Sequence, residues 1–151
     1  MKRNLLSLFG LFFSFSWNVQ GQNLMDSLKT DTIKLYQDSI IIKYPANFHK
    51  NKSPTEHGVV IFTYTSRLRP ISSISIMEAS NSRFYFGKNC EIIEKTESEH
   101  CYTEKGFCPL KGYYRSNIYK KTRIIIAYEN VSECELSLFD YILDSAIVKS
   151  R

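Results

Sequence analysis

Hydrophobic and polar positions alternate along much of the chain, and this two-residue period predicts strands. Ile33–Gln37 and Ile40–Tyr44 predict a hairpin that turns at Asp38-Ser39. Because proline cannot donate to a strand ladder, Pro45 should end the second strand. The chain therefore begins its predicted fold with an antiparallel pair.

Polar segments flank the next predicted strands. Residues 22–31 are polar and predict a loose lead-in, and Asn47–Gly58 predicts an exposed loop. Val59–Tyr64 and Ile71–Glu78 follow as strands. In the second of them isoleucines alternate with serines, which is typical of a sheet with one buried face.

The second half of the chain predicts a mixture of elements. The aromatic triplet Phe84–Phe86 is typical of a core. Glu91–Glu99 fits either a helix or a strand, and we expect a short helix somewhere between Phe84 and Lys95. Tyr113–Tyr119 and Arg123–Val131 predict another hairpin. The β-branched run Ile124–Ile126 favours a central strand.

The last element is predicted to be a helix. Ser132 and Glu135 have the spacing of a capping box. Apolar residues then recur at helical spacing: Leu138, Phe139, Ile142, Leu143, Ala146 and Ile147. Asp140, Asp144 and Lys149 fall on the opposite side, which we expect to be solvated. The predicted fold class is α+β, an antiparallel sheet with a C-terminal helix packed on one face.

The N-terminus has the three-part layout of a cleavable signal peptide. Lys2 and Arg3 precede the uncharged run Leu5–Trp17, and Val19 and Gly21 stand where small residues precede a cleavage site. The run is shorter than the roughly 20 residues that span a bilayer. A buried segment of the fold and an uncleaved anchor are the alternatives. We expect a secreted or periplasmic protein with no stable membrane span after cleavage.

Much of the positive charge belongs to this leader. The whole chain carries 20 Lys and Arg against 15 Asp and Glu, a net charge of +5. Removing residues 1–21 removes two cations and no acid, which leaves 18 against 15, or +3. Such a weak charge does not indicate nucleic-acid binding. Residues 22–151 have a suitable length for a single α+β domain with one core.

The four cysteines all lie after the leader, at Cys90, Cys101, Cys108 and Cys134. An even number in an exported chain predicts two disulfides, with three connectivities open. We favour Cys101–Cys108, closed by a reversal at Gly106, and Cys90–Cys134. The alternative is a zinc site that includes His100, but it lacks a C-x2-C pair, so no metal is expected.

Two stretches resemble PsbP-like domains. Ile40–Phe48 is similar to their opening, an extended strand that reaches Tyr-Pro and then an aromatic residue. Ile124–Tyr128 followed by Leu138–Ser145 resembles their ending. The resemblance covers the two ends of the mature chain and implies an α/β/α sandwich with an adaptor or accessory role. The four cysteines depart from that family, and none of its binding motifs is matched.

The candidate binding segment is Lys111–Arg123, with five cations, three tyrosines and no acid. On a strand, Tyr113, Arg115, Asn117 and Tyr119 would share one face. Aromatic rings beside cations bind sugars, anionic polymers or acidic proteins. The structural alternative is that the tyrosines pack at a sheet margin and the lysines mark a turn. The predicted partner-binding residues are Tyr113, Arg115, Tyr119, Lys120 and Arg123.

No motif for catalysis or for a cofactor is present: the sequence has neither a Gly-x-Ser-x-Gly elbow nor a Gly-rich phosphate loop. The first hypothesis is an exported non-enzymatic binding or accessory protein, a monomer or weak dimer, with an unknown protein or glycan partner. The second is an inhibitor or immunity-type protein that blocks an exported toxin or protease. The third is a small exported hydrolase built around His57 and His100.

Overall fold

The computed structural model describes residues 27–35, 37–54, 60–66, 72–78 and 89–150. The predicted signal peptide, the Phe84–Phe86 triplet and His57 lie outside the described residues. Within the part described, no helix is long and apolar enough to cross a bilayer.

The described residues form ten strands, a 3-10 turn and one α-helix. The strands are β1 (Leu28–Lys34), β2 (Asp38–Pro45), β3 (His49–Pro54), β4 (Val60–Thr65), β5 (Ser73–Glu78), β6 (Glu91–Glu97), β7 (Cys101–Cys108), β8 (Gly112–Tyr119), β9 (Ile124–Val131) and β10 (Ile147–Ser150). The 3-10 turn Glu133–Glu135 leads directly into helix α1, Leu136–Asp144.

The strands make two antiparallel sheets. A small sheet has the order β1-β2-β10, and a large seven-stranded sheet has the order β3-β4-β5-β9-β8-β7-β6. Helix α1 packs against β9 of the large sheet and β2 of the small one. The predicted α+β class, an antiparallel sheet with a C-terminal helix on one face, is therefore confirmed at this level.

The main core lies where the small sheet and α1 cover the middle of the large sheet. Its fully buried members include Ile40 and Ile42 of β2, Ile74 and Ile76 of β5, and Phe139 of α1. The predicted central strand is confirmed, because Ile124, Ile125 and Ile126 are at most 1% exposed and β9 lies between β5 and β8.

The N-terminal hairpin is confirmed, but its strands are longer than predicted. Ile33 pairs with Ile40, and β1 already begins at Leu28, within the predicted lead-in. The turn precedes Asp38, which begins β2. Most of β1 is exposed at the edge of its sheet, so its polar composition does not prevent strand pairing.

The predicted loop Asn47–Gly58 is wrong over His49–Pro54. These residues form β3, and every one of them is exposed at one edge of the large sheet. Backbone pairing with β4 holds them extended, as His49 faces Thr65 and Pro54 faces Val60. The pattern was misleading because an exposed edge strand needs no apolar side chains.

The opposite edge of the sheet is strand β6. The sequence of Glu91–Glu99 fits either a helix or a strand, and Glu91–Glu97 forms a strand. The expected short helix is therefore wrong for residues 91–95, and residues 84–88 lie outside the described residues. All seven residues of β6 are exposed, so the strand lacks the alternating apolar face that would have identified it. In β5, Ser73 and Ser75 are buried together with the isoleucines, so this strand is buried on both faces.

The C-terminal helix is confirmed but shorter than predicted. It ends at Asp144, and Ile147 begins β10, which pairs with β2. The capping box is wrong in its hydrogen bonding: the Ser132 hydroxyl donates to the Glu135 carboxylate (2.6 Å) and caps no backbone amide. The apolar residues after Asp144 fit a short edge strand equally well.

The predicted disulfide pairing is wrong. Cys90 is bonded to Cys108, while Cys101 and Cys134 are free thiols. Cys101 and Cys108 are the two ends of β7, about 23 Å apart on an extended strand. Cys90 instead faces Cys108 across the β6–β7 pair, with 4.2 Å between their Cα atoms. A structural disulfide indicates an oxidising compartment.

Gly106 does not form the expected reversal. It lies inside β7 opposite Tyr114, whose ring covers it. A Cβ atom at position 106 would stand 2.3 Å from the Tyr114 hydroxyl and 2.2 Å from the Glu91 carbonyl oxygen. The glycine therefore allows the close approach of the ring and the neighbouring strand beside the disulfide.

Loss of the disulfide should destabilise the domain. We expect Cys90→Ser with Cys108→Ser to lower the free energy of unfolding by ~3 kcal/mol, because the crosslink restricts the unfolded chain. Urea denaturation of the oxidised proteins measures this difference. Cys134→Ser is the control, since Cys134 is exposed and free, and it should leave stability unchanged. Equal stability of the double variant and the wild type would contradict the assignment.

Candidate functional site

The basic and aromatic segment forms β8 and the turn that follows it. The prediction that one face of the strand carries Tyr113, Arg115, Asn117 and Tyr119 is confirmed. In the neighbouring strand β9, Arg115 pairs with Tyr128 and Tyr119 pairs with Ile124, both on the side of the sheet that α1 covers. This face points toward the helix and the core. These four side chains therefore do not form an accessible binding surface along the whole strand.

Arg115 is buried and held by polar partners on three sides. Its Nε donates to Asn117 (3.0 Å), Nη1 donates to Asp140 (2.9 Å) and Nη2 donates to Asp144. Burial works against the charged form, but the hydrogen bonds and charges of Asp144 and Asp140 outweigh it and raise the pKa of Arg115. The guanidinium thus stays charged and links β8 to the helix.

The two acids of the helix do not belong to a purely solvated face. Asp140 and Asp144 stand one turn apart on α1, and both contact Arg115. Asp144 remains largely exposed, with 62% of its side chain accessible, whereas Asp140 is 27% exposed. The expectation of a solvated side is therefore wrong for Asp140, because a buried cation on the sheet lies directly beneath it.

Asp140 collects further donors from the sheet. The Tyr128 hydroxyl donates to it at 3.1 Å and Lys105 Nζ at 3.3 Å. Burial, followed by the nearby Asp140 charge, raises the pKa of Tyr128, so its hydroxyl remains a donor. We call Asp140, Asp144, Arg115, Lys105 and Tyr128 the helix clasp, since together they join α1 to three strands of the large sheet.

A second polar contact joins the small sheet to the large one in the same way. The buried Tyr64 of β4 donates its hydroxyl to Asp31 of β1 (2.7 Å), and Lys50 of β3 pairs with the same carboxylate. Burial alone would raise the pKa of Asp31, but the bonds from Lys50 and Tyr64 and the Lys50 charge hold it below its ordinary value. We call these three residues the hairpin clasp.

Beyond the helix, the side chains on the α1 side of β7 and at the two ends of β8 are only partly buried. Phe107 and Tyr113 pack with ring centroids 5.0 Å apart at one end, and Tyr119 lies at the other end. Thr103 lies between them on β7 and donates to Asn117 (3.1 Å). We call Thr103, Lys105, Phe107, Tyr113 and Tyr119 the flank surface.

The exposed cations lie at the end of β8. Lys120 donates to the Glu97 carboxylate (2.7 Å) and to the Ser98 carbonyl oxygen (2.7 Å). Arg123 is exposed in the turn with a φ of 57°, a left-handed conformation. The structure thus separates the five predicted binding residues into a buried cation, two half-buried tyrosines and two cations at the rim.

Neither the two acids nor the neighbouring strand follows from the motifs of the sequence. Asp140 and Asp144 flank an apolar stripe at a spacing of four residues, and a buried arginine on a central strand requires such a partner. Lys105, Thr103 and Phe107 were missed because the segment Cys101–Cys108 was interpreted as a turn. As a strand, it places these three side chains beside β8.

The described free thiols, Cys101 and Cys134, lie at opposite ends of β9. Cys101 lies on β7 opposite Tyr119, and Cys134 lies beyond the other end of β9. His100 is exposed in the turn before β7, and His57 lies outside the described residues, so the predicted catalytic pair stays a prediction. In the ranges that the structure describes, no group of three His, Cys, Asp or Glu residues is placed to hold a metal ion.

Comparison with protein-family models, with curated proteins and with solved structures found no match to this chain.

Removing Arg115 should loosen the helix clasp. We expect Arg115→Ala to lower the free energy of unfolding by roughly 3 kcal/mol, the lower end for breaking a buried ion pair, because Asp144 is well solvated. Lys120→Ala is the control: its exposed pair with Glu97 should contribute no more than about 1 kcal/mol. Urea denaturation compares the two, and equal losses would argue against the clasp.

The hairpin clasp should make stability dependent on acid pH. Because the folded pKa of Asp31 lies below its ordinary value of 3.8, its contribution is present above pH 3.8 and is lost as the pH falls through the folded pKa. We expect Asp31→Asn to cost about 1 kcal/mol near neutral pH and the difference from wild type to shrink in acid.

Denaturation at a series of acidic pH values checks this difference, with Asp38→Asn, on the neighbouring strand β2, as the control. A difference between wild type and Asp31→Asn that stays constant across the acid range would contradict the assignment.

Proposed function

We propose that this chain is an exported, non-enzymatic binding or accessory protein whose partner, a protein or a glycan, docks on the flank surface. The single observation that carries the proposal is the partial exposure of Phe107, Tyr113 and Tyr119 at the margin of the core, on β7 and at the two ends of β8. Aromatic side chains of this kind supply large contact areas at low entropic cost.

The placement of α1 supports this choice of surface. The helix packs on β9 and β2, toward the middle of the large sheet, and its acids reach Lys105 of β7 and Arg115 of β8. Strands β6 and β7 and the two ends of β8 therefore extend beyond the helix, whereas Arg115 in the middle of β8 lies beneath it. Along β8, Tyr113 and Tyr119 are about 20 Å apart, a length that suits an extended peptide or a short glycan.

The rigidity of the flank also supports a binding role. The Cys90–Cys108 bond fixes β6 to β7, and the helix clasp fixes β8 to α1. A preorganised surface loses little conformational entropy when a partner binds. The same property suits an inhibitor or immunity-type protein, in which case the partner is a toxin or a protease.

The predicted binding residues take different roles in this proposal. Tyr113 and Tyr119 are partner contacts, and Lys120 and Arg123 form a basic rim next to Tyr119. Arg115 is a positioning residue, because its donors are directed at Asn117, Asp140 and Asp144 and not outward.

The PsbP-like resemblance and the α/β/α layering belong to the same proposal. The two stretches that carry the resemblance meet in the core, where Phe48, just after β2, packs on Phe139 of α1 with ring centroids 5.8 Å apart. An adaptor or accessory role in that family agrees with a binding surface and with the absence of catalytic motifs in the sequence. Export by cleavage after Gly21 agrees with the disulfide.

The test is capture by the mature chain of a partner from the exported fraction of its host, together with binding to a glycan array. We expect Tyr113→Ser with Tyr119→Ser to lose the captured partner or glycan while circular dichroism remains that of the folded domain. The reason is that both rings lie at the margin of the core and are not at its centre.

Tyr141→Ser is the matched control, because Tyr141 is an exposed tyrosine on α1 outside the flank surface. It should capture as the wild type does. Equal capture by the folded double variant would contradict the proposal. Turnover of an ester, peptide or glycan substrate that disappears on changing His57 or His100 would favour the hydrolase instead.

A further inference from the structure

The outer border of the flank is an uncovered strand edge. Strand β6 pairs with β7 on one side, and among the described residues no strand pairs with its other side. All seven of its residues are exposed. An edge in this state offers a row of backbone donors and acceptors to an additional strand.

The charges along β6 are predominantly acidic. Glu91, Glu94 and Glu97 stand on the strand with a single cation, Lys95. Lys95 pairs with Glu104 and Glu97 pairs with Lys120. Within the described residues, Glu91 and Glu94 have no cation at ion-pair distance. Glu94 stands opposite Lys105 of β7, whose ammonium group pairs with Asp140, so among the described residues neither Glu91 nor Glu94 forms an ion pair.

Two apolar side chains stand on the same edge. Ile92 is 45% exposed and Ile93 is 61% exposed. The pairing register shifts between Ile92 and Glu94, so Ile93 is an extra residue in the β6 ladder with no residue of β7 opposite it. Bulges are over-represented at sheet edges, where they change the direction of a side chain.

From these three features we infer that β6 is a docking strand for an extended segment of a partner protein that carries Lys or Arg at alternate positions. The segment adds an eighth strand to the large sheet. Its backbone pairs with β6, its cations meet Glu91 and Glu94, and an apolar residue covers Ile93. This inference rests on the proposed function and names a partner chemistry at the border of the flank surface.

Charge decides between this occupant and a second copy of the chain. Pairing two β6 strands would bring six glutamates against two lysines, and like charges across a strand pair are destabilising. A basic segment instead neutralises the unpaired acids. The disulfide holds β6 against β7 beforehand, so docking requires little ordering of the edge.

The experiment uses the mature chain and a labelled peptide of alternating lysine and valine, with binding followed by fluorescence anisotropy. We expect saturable binding that weakens at high salt, because the attraction is between exposed charges. Glu91→Gln with Glu94→Gln should weaken it about tenfold. The control Glu129→Gln with Glu133→Gln removes the same charge elsewhere and should leave the affinity unchanged.

Backbone pairing is tested with the same peptide N-methylated at alternate amides. This peptide keeps its charge but cannot pair along one edge, so it should not bind. Amide resonances of residues 91–97 should shift with the unmodified peptide, and those of β3 should not. Equal binding of the methylated peptide, equal losses in both charge variants, or no binding at all would overturn the inference. Self-association lost in Glu91→Gln with Glu94→Gln would assign the edge to a second copy and would also overturn it.

The two proposals can fail separately. If the peptide does not dock while Tyr113→Ser with Tyr119→Ser still abolishes partner capture, the docking strand is wrong and the flank surface stands. If the peptide docks on β6 but capture of the natural partner is unaffected by the tyrosine variant, the flank surface is wrong.

Discussion

The packing of the small sheet and helix α1 on the large sheet depends on three polar groups that are buried on one face of the large sheet. These groups are the hydroxyls of Tyr64 and Tyr128 and the guanidinium of Arg115. Each must find a partner, because an unsatisfied buried polar group is costly. Asp31 of the small sheet and Asp140 of the helix supply the carboxylates. In each clasp, a lysine or arginine of the large sheet also pairs with the carboxylate that accepts the tyrosine hydrogen bond. The small sheet and the helix are therefore joined to the large sheet by the same kind of contact.

The position of the helix determines which part of the sheet remains open. Asp140 and Asp144 reach Arg115 from α1, and this contact holds the helix over β9. Strands β6 and β7 and the ends of β8 then extend past it, with partly exposed aromatic residues on β7 and β8 and, among the described residues, no strand paired to the outer side of β6. The disulfide stabilises this outer part of the sheet, where little apolar burial is available. A rigid and accessible flank is what a binding protein requires.

Sequence patterns predicted the elements that bury an apolar face: the N-terminal hairpin, β4, β5, the β8–β9 hairpin and α1. They failed for β3 and left β6 open between a helix and a strand, because exposed edge strands carry no alternation. They also failed for Ile147–Ser150, because four residues fit either a helix end or a strand. The shared face of Tyr113, Arg115 and Tyr119 followed from the period of two. The sequence did not predict that this face points toward the core. Its direction depends on which side of the large sheet α1 covers, and contacts between residues distant in sequence determine that side.

The most direct measurement is a double-mutant cycle between Arg115 and Asp140, with the free energy of unfolding determined for wild type, Arg115→Ala, Asp140→Ala and the double variant. If the guanidinium and the helix carboxylate hold the layers together, the losses will be strongly non-additive, with a coupling of at least about 1 kcal/mol. Additive losses, within roughly 0.5 kcal/mol, would show that the two groups act independently and would contradict the clasp.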